Sequence, residues 1–271
     1  MLHLTNRINS RVVYYSLALP FAIMALAPLS ADAATPFEAS QQFIESGQST
    51  EARRALETEL RMRPNNIEAR YNLAVLLEES GHQADAMALY EQNLAISWHL
   101  PSLINLASAL ERSGKTLEAQ QWLEKGTKRL RHEATLWYLL AAQSEKRGDI
   151  TKATRQHQKA LKTDPLNGFA HLHYASFQSR HKLNDMGLKH GTKATRLLPE
   201  CAPCWKAYGS ILQHAEKNND ALDAYQRSLS IEPDTATREK LIVVLRKLGH
   251  HDRAEQIQRG LNGWKNSRNE K

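Results

Sequence analysis

Cysteine, glycine and proline are all scarce in this sequence of 271 residues, which has 2 Cys, 12 Gly and 9 Pro. Two cysteines cannot build a disulfide framework or a four-thiolate zinc site. So few glycines and prolines also argue against a loop-rich all-β scaffold. The chain instead has 41% hydrophobic and 24% charged residues, a balance typical of a folded, soluble protein and not of a disordered or collagen-like one.

Signatures of catalysis are missing as well. The sequence has no G-x-S-x-G, no phosphate-binding glycine loop, no H-E-x-x-H and no pair of carboxylates in a recognisable frame. Several histidines cluster, but their spacing fits no metal site, so we interpret them as solvated or helix-packing side chains. They are His157, His171, His173, His181, His190 and His214. We therefore expect a protein that is not an enzyme and that holds no metal or cofactor.

The N-terminus has the pattern of an export signal. Arginines precede an apolar run over residues 12–29, and the small residues Ala31 and Ala33 follow it. This order is typical of a cleaved signal peptide, so residues 1–33 are predicted to be removed and the mature chain to be periplasmic. The alternative is an inner-membrane anchor over residues 12–29, because a run of this length is near the lower limit for spanning a bilayer.

The net charge of +7 is uneven, and the basic excess lies in the C-terminal half, including a basic tail over residues 263–271. These basic residues could contact acidic lipid headgroups or an acidic partner, or they could form the polar outer face of a capping helix. Nucleic-acid binding is not predicted, because no aromatic-basic module is present and export would separate the chain from nucleic acid. The basic residues nearest the C-terminus are Lys240, Arg246, Lys247, Arg253, Arg259, Lys265, Arg268 and Lys271.

A repeat of about 34 residues runs through the rest of the chain. Small residues recur at this period, with glycines five positions before four of them and prolines twelve positions after four of them. Such a period is typical of a solenoid of helix–turn–helix units. The small residues are Ala52, Ala86, Ala119, Ala153, Gly187, Ala221 and Ala254, the glycines are Gly47, Gly81, Gly114 and Gly148, and the prolines are Pro64, Pro165, Pro199 and Pro233.

The second repeat shows why these residue types recur. An apolar stripe from Leu73 to Leu77 is followed by Gly81, which suits the left-handed C-terminal cap of a helix, and a second stripe ends at Leu94. Ala86 is predicted to be small because two antiparallel helices approach closely there. Each helix pair leaves an apolar face and is stable only when it stacks on a neighbour. The predicted units lie near 34–66, 67–99, 100–133, 134–167, 168–201, 202–234 and 235–262.

This pattern resembles the tetratricopeptide-repeat (TPR) family, most clearly in the sixth repeat. That repeat matches the family pattern W-x2-L-G-x2-Y…A-x3-F…P at Trp205, Tyr208, Gly209, Leu212, Ala221, Tyr225, Ser228 and Pro233. The resemblance covers residues 35–262 and implies an all-α fold, a right-handed α-solenoid of six to seven units. Other repeats depart from the pattern. His171 replaces the Trp, Trp98 and Arg131 replace the Pro, and Lys182 replaces the turn Gly, which leaves the local geometry of the fifth unit open.

The resemblance also implies where a partner would bind. In TPR proteins the first helix of each unit lines a concave surface, and partners are usually extended peptides or helices. Asn72 and Asn105 are equivalent in successive repeats, and their amides could pair with a peptide backbone or could cap and pack locally. The residues predicted to contact a partner are Tyr71, Asn72, Val75, Asn105, Ser108, Arg112, Tyr138 and Lys206.

The two cysteines form the motif Cys201-Ala-Pro-Cys204 at the start of the sixth repeat. In an exported chain this pair is predicted to form a structural disulfide that stiffens the junction between repeats five and six. A thiol-exchange role stays open, because a thiol at a helix N-terminus has a lowered pKa. Metal binding is a weaker alternative, and Trp205 stands where covalent haem attachment would require His.

These observations predict a non-enzymatic scaffold for protein–protein interaction in the bacterial envelope. Its concave groove would bind a peptide or helix of another exported protein. Two alternatives remain: a chaperone or assembly factor for apocytochrome maturation, and a thiol-redox factor that uses Cys201 and Cys204.

Overall fold

The structure of the protein, a computed structural model, describes residues 34–269, with side chains through residue 261. The predicted leader and the side chains of the predicted basic tail lie outside the described residues. Fourteen helices and no strands make up the described chain, and none of these helices is long and apolar enough to cross a membrane. The helices are α1 (Pro36–Glu45), α2 (Ser49–Met62), α3 (Ile67–Glu79), α4 (Gln83–Ile96), α5 (Leu100–Arg112), α6 (Thr116–Arg129), α7 (Ala134–Lys146), α8 (Ile150–Thr163), α9 (Gly168–Arg180), α10 (Asn184–Leu197), α11 (Ala202–His214), α12 (Asn218–Ile231), α13 (Thr235–Lys247) and α14 (His251–Asn269).

The helices form seven pairs, from α1/α2 in unit one to α13/α14 in unit seven. Each first helix packs against the second helix of its own unit, and each second helix packs against the first helix of the next unit. Contacts between neighbours in sequence therefore continue along the whole described chain, which is the packing of a solenoid. The prediction of an all-α solenoid is confirmed.

The recurring small residues lie where the two helices of a unit cross. The alanines of this series are all fully buried, and in unit five a Cβ on Gly187 would lie 3.1 Å from the carbonyl oxygen of Ala175 in α9. A larger side chain at any of these positions would separate the paired helices. The buried alanines are Ala52, Ala86, Ala119, Ala153, Ala221 and Ala254.

The turn inside unit five is regular although it lacks the usual glycine. Gly81 ends the first helix of unit two with a positive φ of 84°, which glycine adopts without a steric cost. Lys182 takes the same left-handed region with a φ of 61°, as does Glu216 in unit six with a φ of 60°. The turn geometry is thus set by the packing of the two helices and overrides the residue preference at these two positions.

His171 also replaces the family's tryptophan without loss of its hydrogen bond. Trp205 donates from Nε1 to the carbonyl oxygen of Pro199 over 2.8 Å, and Nε2 of His171 lies 3.1 Å from the carbonyl oxygen of Pro165. A carbonyl can only accept, so Nε2 of His171 carries the proton. Both bonds tie the start of a first helix to the loop that precedes it, which explains why unit five keeps the solenoid geometry.

Candidate functional site

The first helices of consecutive units lie side by side along one surface of the solenoid. α7 contacts α9 directly, and α9 contacts α11. Ion pairs also join first helices: Glu78 of α3 pairs with Arg112 of α5, and Glu145 of α7 accepts from Arg180 of α9 over 2.7 Å. This continuous surface, which we call the groove, is built from α3, α5, α7, α9 and α11.

The part of the groove between units two and three carries a connected polar network. The amide nitrogen of Asn105 donates to the hydroxyl of Tyr90 over 3.1 Å and to the hydroxyl of Tyr71 over 3.3 Å. Tyr90 is fully buried and in turn donates to Glu78 over 2.9 Å, and Glu78 is the partner of Arg112. The network holds three predicted groove residues, Tyr71, Asn105 and Arg112, in fixed positions before any partner arrives.

The remaining predicted groove residues have different surroundings. Asn72, Val75 and Ser108 are half-buried on α3 and α5, and no other described residue forms a hydrogen bond with the side chain of Asn72. Tyr138 is only 8% exposed, and its ring stacks on that of His173 with centroids 4.3 Å apart. The structure therefore places Tyr138 in the packing between units four and five, where it presents little surface to a partner.

Lys206 of α11 is engaged in an ion pair with the loop before α13. Its ammonium lies 3.0 Å from Oδ2 of Asp234, which also accepts from the backbone and hydroxyl of Thr237 and caps α13. Burial acts against the charge of Asp234, but these hydrogen bonds and the charge of Lys206 outweigh it and lower the pKa of the carboxyl. Lys206 therefore helps to stack unit seven on unit six as well as lying in the groove.

A ladder of ion pairs follows the C-terminal ends of the first helices. After the Glu78–Arg112 pair, Glu111 pairs with Lys146, and Glu145 then pairs with both Arg180 and His181. Burial of Glu145 opposes its charge, but the hydrogen bonds and charges of Arg180 and His181 overcome this effect and lower its pKa. The ladder joins units two to five along one edge of the groove.

Buried histidines lie in units four and five, where the sequence left open whether they are solvated or pack between helices. His157 is 2% exposed, and neither of its ring nitrogens has a hydrogen-bond partner among the described residues. Its ring packs against Tyr174 and Phe177 with centroids 5.1 Å away in both cases. Burial lowers the pKa of His157 to about 3. The available signal was its position, since it stands one helical turn after the buried Ala153.

Two further histidines of this cluster touch each other between α9 and α10. The Nδ1 atoms of His171 and His190 are 2.8 Å apart, and because Nε2 of His171 holds a proton, its Nδ1 accepts from His190 when both rings are neutral. Burial and the neighbouring His171 lower the pKa of His190 to about 4, and burial lowers that of His173 to about 4. Of the two interpretations from sequence, solvated or helix-packing, these residues follow the second.

Cys201 and Cys204 form a disulfide at the N-terminus of α11. Cys201 is the N-cap residue, and its sulfur accepts a hydrogen bond from the backbone of Cys204 over 3.2 Å. Cys204 is fully buried and packs against Leu172 and Ala194 of unit five. The bond itself closes a turn within unit six, so any stiffening of the junction comes through the packing of Cys204.

Reduction of this disulfide is expected to lower the free energy of unfolding by no more than about 2 kcal/mol, because the closed loop spans only about four residues. Urea unfolding with and without dithiothreitol measures the difference. The variant Cys201→Ser/Cys204→Ser is the control and should not respond to the reductant. A variant that folds and keeps its partner but loses activity in the cell would favour the thiol-redox alternative over a structural role.

Comparison with known proteins supports the repeat assignment. Residues 37–101 match the tetratricopeptide-repeat family, and a search of curated protein sequences finds no significant match. Among solved structures, the chain is similar to a tetratricopeptide repeat protein from Parabacteroides merdae, with a TM-score of 0.60 and 17% identity, covering 84% of this chain and 91% of that one. It is also similar to MamA from Desulfovibrio magneticus RS-1, with a TM-score of 0.52 and 17% identity, covering 61% of this chain and 94% of that one.

A third similar structure is a chain of the APC/C hetero-tetramer Cut9–Hcn1, with a TM-score of 0.60 and 18% identity, covering 78% of this chain. This chain spans only 42% of the length of that relative. At such identities these likenesses show a shared fold and nothing about shared partners. The repeat pattern, the stacked helix pairs and the family match over residues 37–101 together show the tetratricopeptide-repeat fold.

Proposed function

We propose that the protein is a non-enzymatic interaction scaffold of the bacterial envelope, which holds a peptide or helix of another exported protein in its groove. The observation that carries this proposal is the continuous surface of first helices. On it Asn72, Val75 and Ser108 stay half-exposed while the side chains around them are fixed. A site that is already ordered loses less conformational entropy when it binds. Export to the periplasm is the part of the proposal that rests on the leader, residues 1–33.

The polar network leaves the two equivalent asparagines, Asn72 and Asn105, with different hydrogen-bonding groups available to a partner. Both amide hydrogens of Asn105 are directed to tyrosine hydroxyls, so only its carbonyl oxygen is left to accept from a peptide N–H. Asn72 has no such partners among the described residues and keeps both its donor and its acceptor. An extended peptide would thus find both a hydrogen-bond donor and an acceptor at Asn72 in unit two, and only an acceptor at Asn105 in unit three.

Site-specific photo-crosslinking tests the groove. A photoreactive amino acid at position 108, in the groove, is expected to link to a partner in cells, whereas the same residue at the exposed position of Gln121, on the outer side of α6, is not. Asn72→Ala should weaken the crosslink from position 108 without changing the thermal stability. Equal crosslinking from both positions would contradict the groove assignment. Fractionation of the same cells and N-terminal sequencing test export and cleavage after Ala33.

A further inference from the structure

The second helices of units three, four and five carry an unusual concentration of positive charge. α6, α8 and α10 together contain ten Lys and Arg but only three Asp and Glu. The second helices on either side differ, since α4 contains two acidic residues and no basic one and α12 contains two acidic residues and one basic one. The basic residues are Lys125, Lys128, Arg129, Lys152, Arg155, Lys159, Lys162, Lys189, Lys193 and Arg196.

The helical register places these charges on the side of each helix that faces away from the core. In α10 the buried residues are Gly187, Gly191, Ala194 and Thr195. The residues on the opposite side of α10 are exposed, and they follow one another at intervals of three or four residues, as one face of a helix requires. It consists of Met186, Lys189, Lys193 and Arg196. In α8, Arg155, Lys159 and Lys162 are exposed in the same way. We call the exposed sides of α6, α8 and α10 the outer basic face.

Apolar side chains are exposed beside these charges. Leu117 is 71% exposed at the start of α6, Ile150 is 37% exposed at the start of α8, and Leu183 and Met186 are 48% and 50% exposed at the start of α10. Single exposed apolar residues are ordinary on a protein surface. Leu117 and Met186 lie on the same side of α6 and α10 as the basic residues, so these two side chains make the outer basic face amphipathic.

Most charges of the outer basic face are not neutralised by the described part of the chain. Lys152 pairs with Glu124 over 3.8 Å, and this pair also shows that α6 and α8 are adjacent. Lys125 lies over the ring of Trp122, 4.8 Å from its centroid. By contrast, the basic residues Arg112, Lys146 and Arg180 of the first helices are all paired with glutamates. The groove is therefore electrostatically balanced, and the outer basic face is not.

We propose that the outer basic face of α6, α8 and α10 docks on the surface of a bilayer that contains anionic lipids. Anionic lipids diffuse laterally, so their headgroups can pair with basic side chains at any spacing. The long apolar stems of Lys and Arg can contact the apolar part of the bilayer while their charges stay at the headgroups. Leu117 and Met186, which share the side of the basic residues, can enter the headgroup region, as apolar residues do on amphipathic interfacial helices. Docking by this side leaves the groove open on the other side, so both contacts can exist together.

The sequence analysis placed a possible lipid contact in the basic C-terminal half, and the outer basic face narrows it to α8 and α10 of that half, together with α6. Lys240, Lys247 and Arg253 in α13 and α14 are exposed, and two of them have an acidic residue directly beside them, Glu239 beside Lys240 and Asp252 beside Arg253. A basic residue with an acidic neighbour produces a weaker field at a membrane than one without such a neighbour. The C-terminal units thus provide a control surface with the same residue types and a different arrangement.

Vesicle sedimentation tests the proposal on protein purified from the cells that express it, after any removal of the leader. Binding is expected to vesicles of phosphatidylcholine with phosphatidylglycerol and not to vesicles of phosphatidylcholine alone. The variant Arg155→Glu/Lys162→Glu/Lys193→Glu should bind the anionic vesicles at least about tenfold more weakly, since each basic residue near the surface contributes to the attraction. The matched control Lys240→Glu/Lys247→Glu/Arg253→Glu should bind within about threefold of the unchanged protein, because it reverses the same number of charges outside the proposed surface. Thermal unfolding checks that both variants are folded.

The outcomes that overturn the proposal are distinct. Absence of binding to anionic vesicles would refute it, and so would an equal loss in the control variant, which would assign the contact to the C-terminal units. Binding to polyglutamate but not to vesicles would point to an acidic protein instead. The variant Leu117→Ser/Met186→Ser keeps every charge and should also weaken vesicle binding. An unchanged affinity would show that the apolar residues do not enter the bilayer.

Discussion

Acidification from about pH 7.5 to about pH 5 is expected to lower the free energy of unfolding by about 2 kcal/mol through His157 alone. The pKa of this buried ring falls from 6.5 to about 3 on folding. The unfolded chain therefore takes up a proton below about pH 6.5, whereas the folded chain does so only near pH 3. The stability that depends on a neutral His157 is fully present above pH 6.5 and is lost as the pH falls through this window.

The neighbouring histidines add to the effect in the same direction. The pKa values of His173 and His190 are both lowered to about 4, mainly by burial, so both favour the unfolded state in acid. The contact between His171 and His190 can share one added proton, but two added protons would place two N–H groups against each other. Because these residues lie on α8, α9 and α10, acid should loosen the junction of units four and five first.

Urea unfolding at a series of pH values measures this dependence, and His157→Phe isolates its cause. Phenylalanine keeps an aromatic ring against Tyr174 and Phe177 and removes a buried ring N–H that has no acceptor among the described residues. The variant should match or exceed the unchanged protein in stability at about pH 7.5 and should lose about 2 kcal/mol less on acidification. His132 is exposed, and His132→Gln is the control. Equal pH dependence in all three proteins would show that His157 is not the sensor.

The sequence was sufficient for the architecture because the determinants of a TPR unit are local. The periodic alanines, the turn glycines and the apolar stripes all act between residues of one helix pair or of adjacent pairs. They predicted the helix pairs and the close approach at Ala86, which the structure shows as fully buried. Even where a local signal was missing, at Lys182, the packing of the two helices held the turn in the same conformation.

Side-chain partners could not be predicted in the same way, because they depend on how far one unit rotates on the next. Asn105 was a candidate for peptide binding, but its amide nitrogen is directed to Tyr71 and Tyr90 of the preceding unit. Tyr138 lies at the same repeat position as Tyr71, but His173 of the following unit covers it. Whether residues at one repeat position face the groove or pack between units thus depends on the neighbour that each one meets.

Tyr225→Ala is expected to lower the free energy of unfolding by about 3–5 kcal/mol. Tyr225 is fully buried, and its hydroxyl is hydrogen-bonded to Ser210 and Gln213 of α11. Its ring also fills the space that Gly209 leaves open, where an added Cβ would lie 2.6 Å from the ring. Alanine would leave a cavity between α11 and α12. It would also remove the hydrogen bonds that the hydroxyl makes with Ser210 and Gln213.

Tyr225→Phe separates these two contributions. It keeps the ring and removes only the hydroxyl, so it should cost about 1 kcal/mol from the lost hydrogen bonds. Gly209→Ala tests the same contact from the opposite side and should also destabilise, since the buried ring of Tyr225 has no room to move. If Tyr225→Phe were as unstable as Tyr225→Ala, the hydrogen bonds and not the packing would hold α11 against α12.

The destabilisation caused by Tyr225→Ala should remain local because each unit of a solenoid contacts only its neighbours. Hydrogen exchange is expected to accelerate in α11 to α14, the helices of units six and seven, and to stay nearly unchanged in α3 to α6. The groove between units two and three, with its network around Asn105, should then keep its crosslinks to a partner in the same variant. A uniform loss of protection along the chain would mean that the solenoid unfolds as one cooperative body. In that case no unit could be altered without affecting the groove.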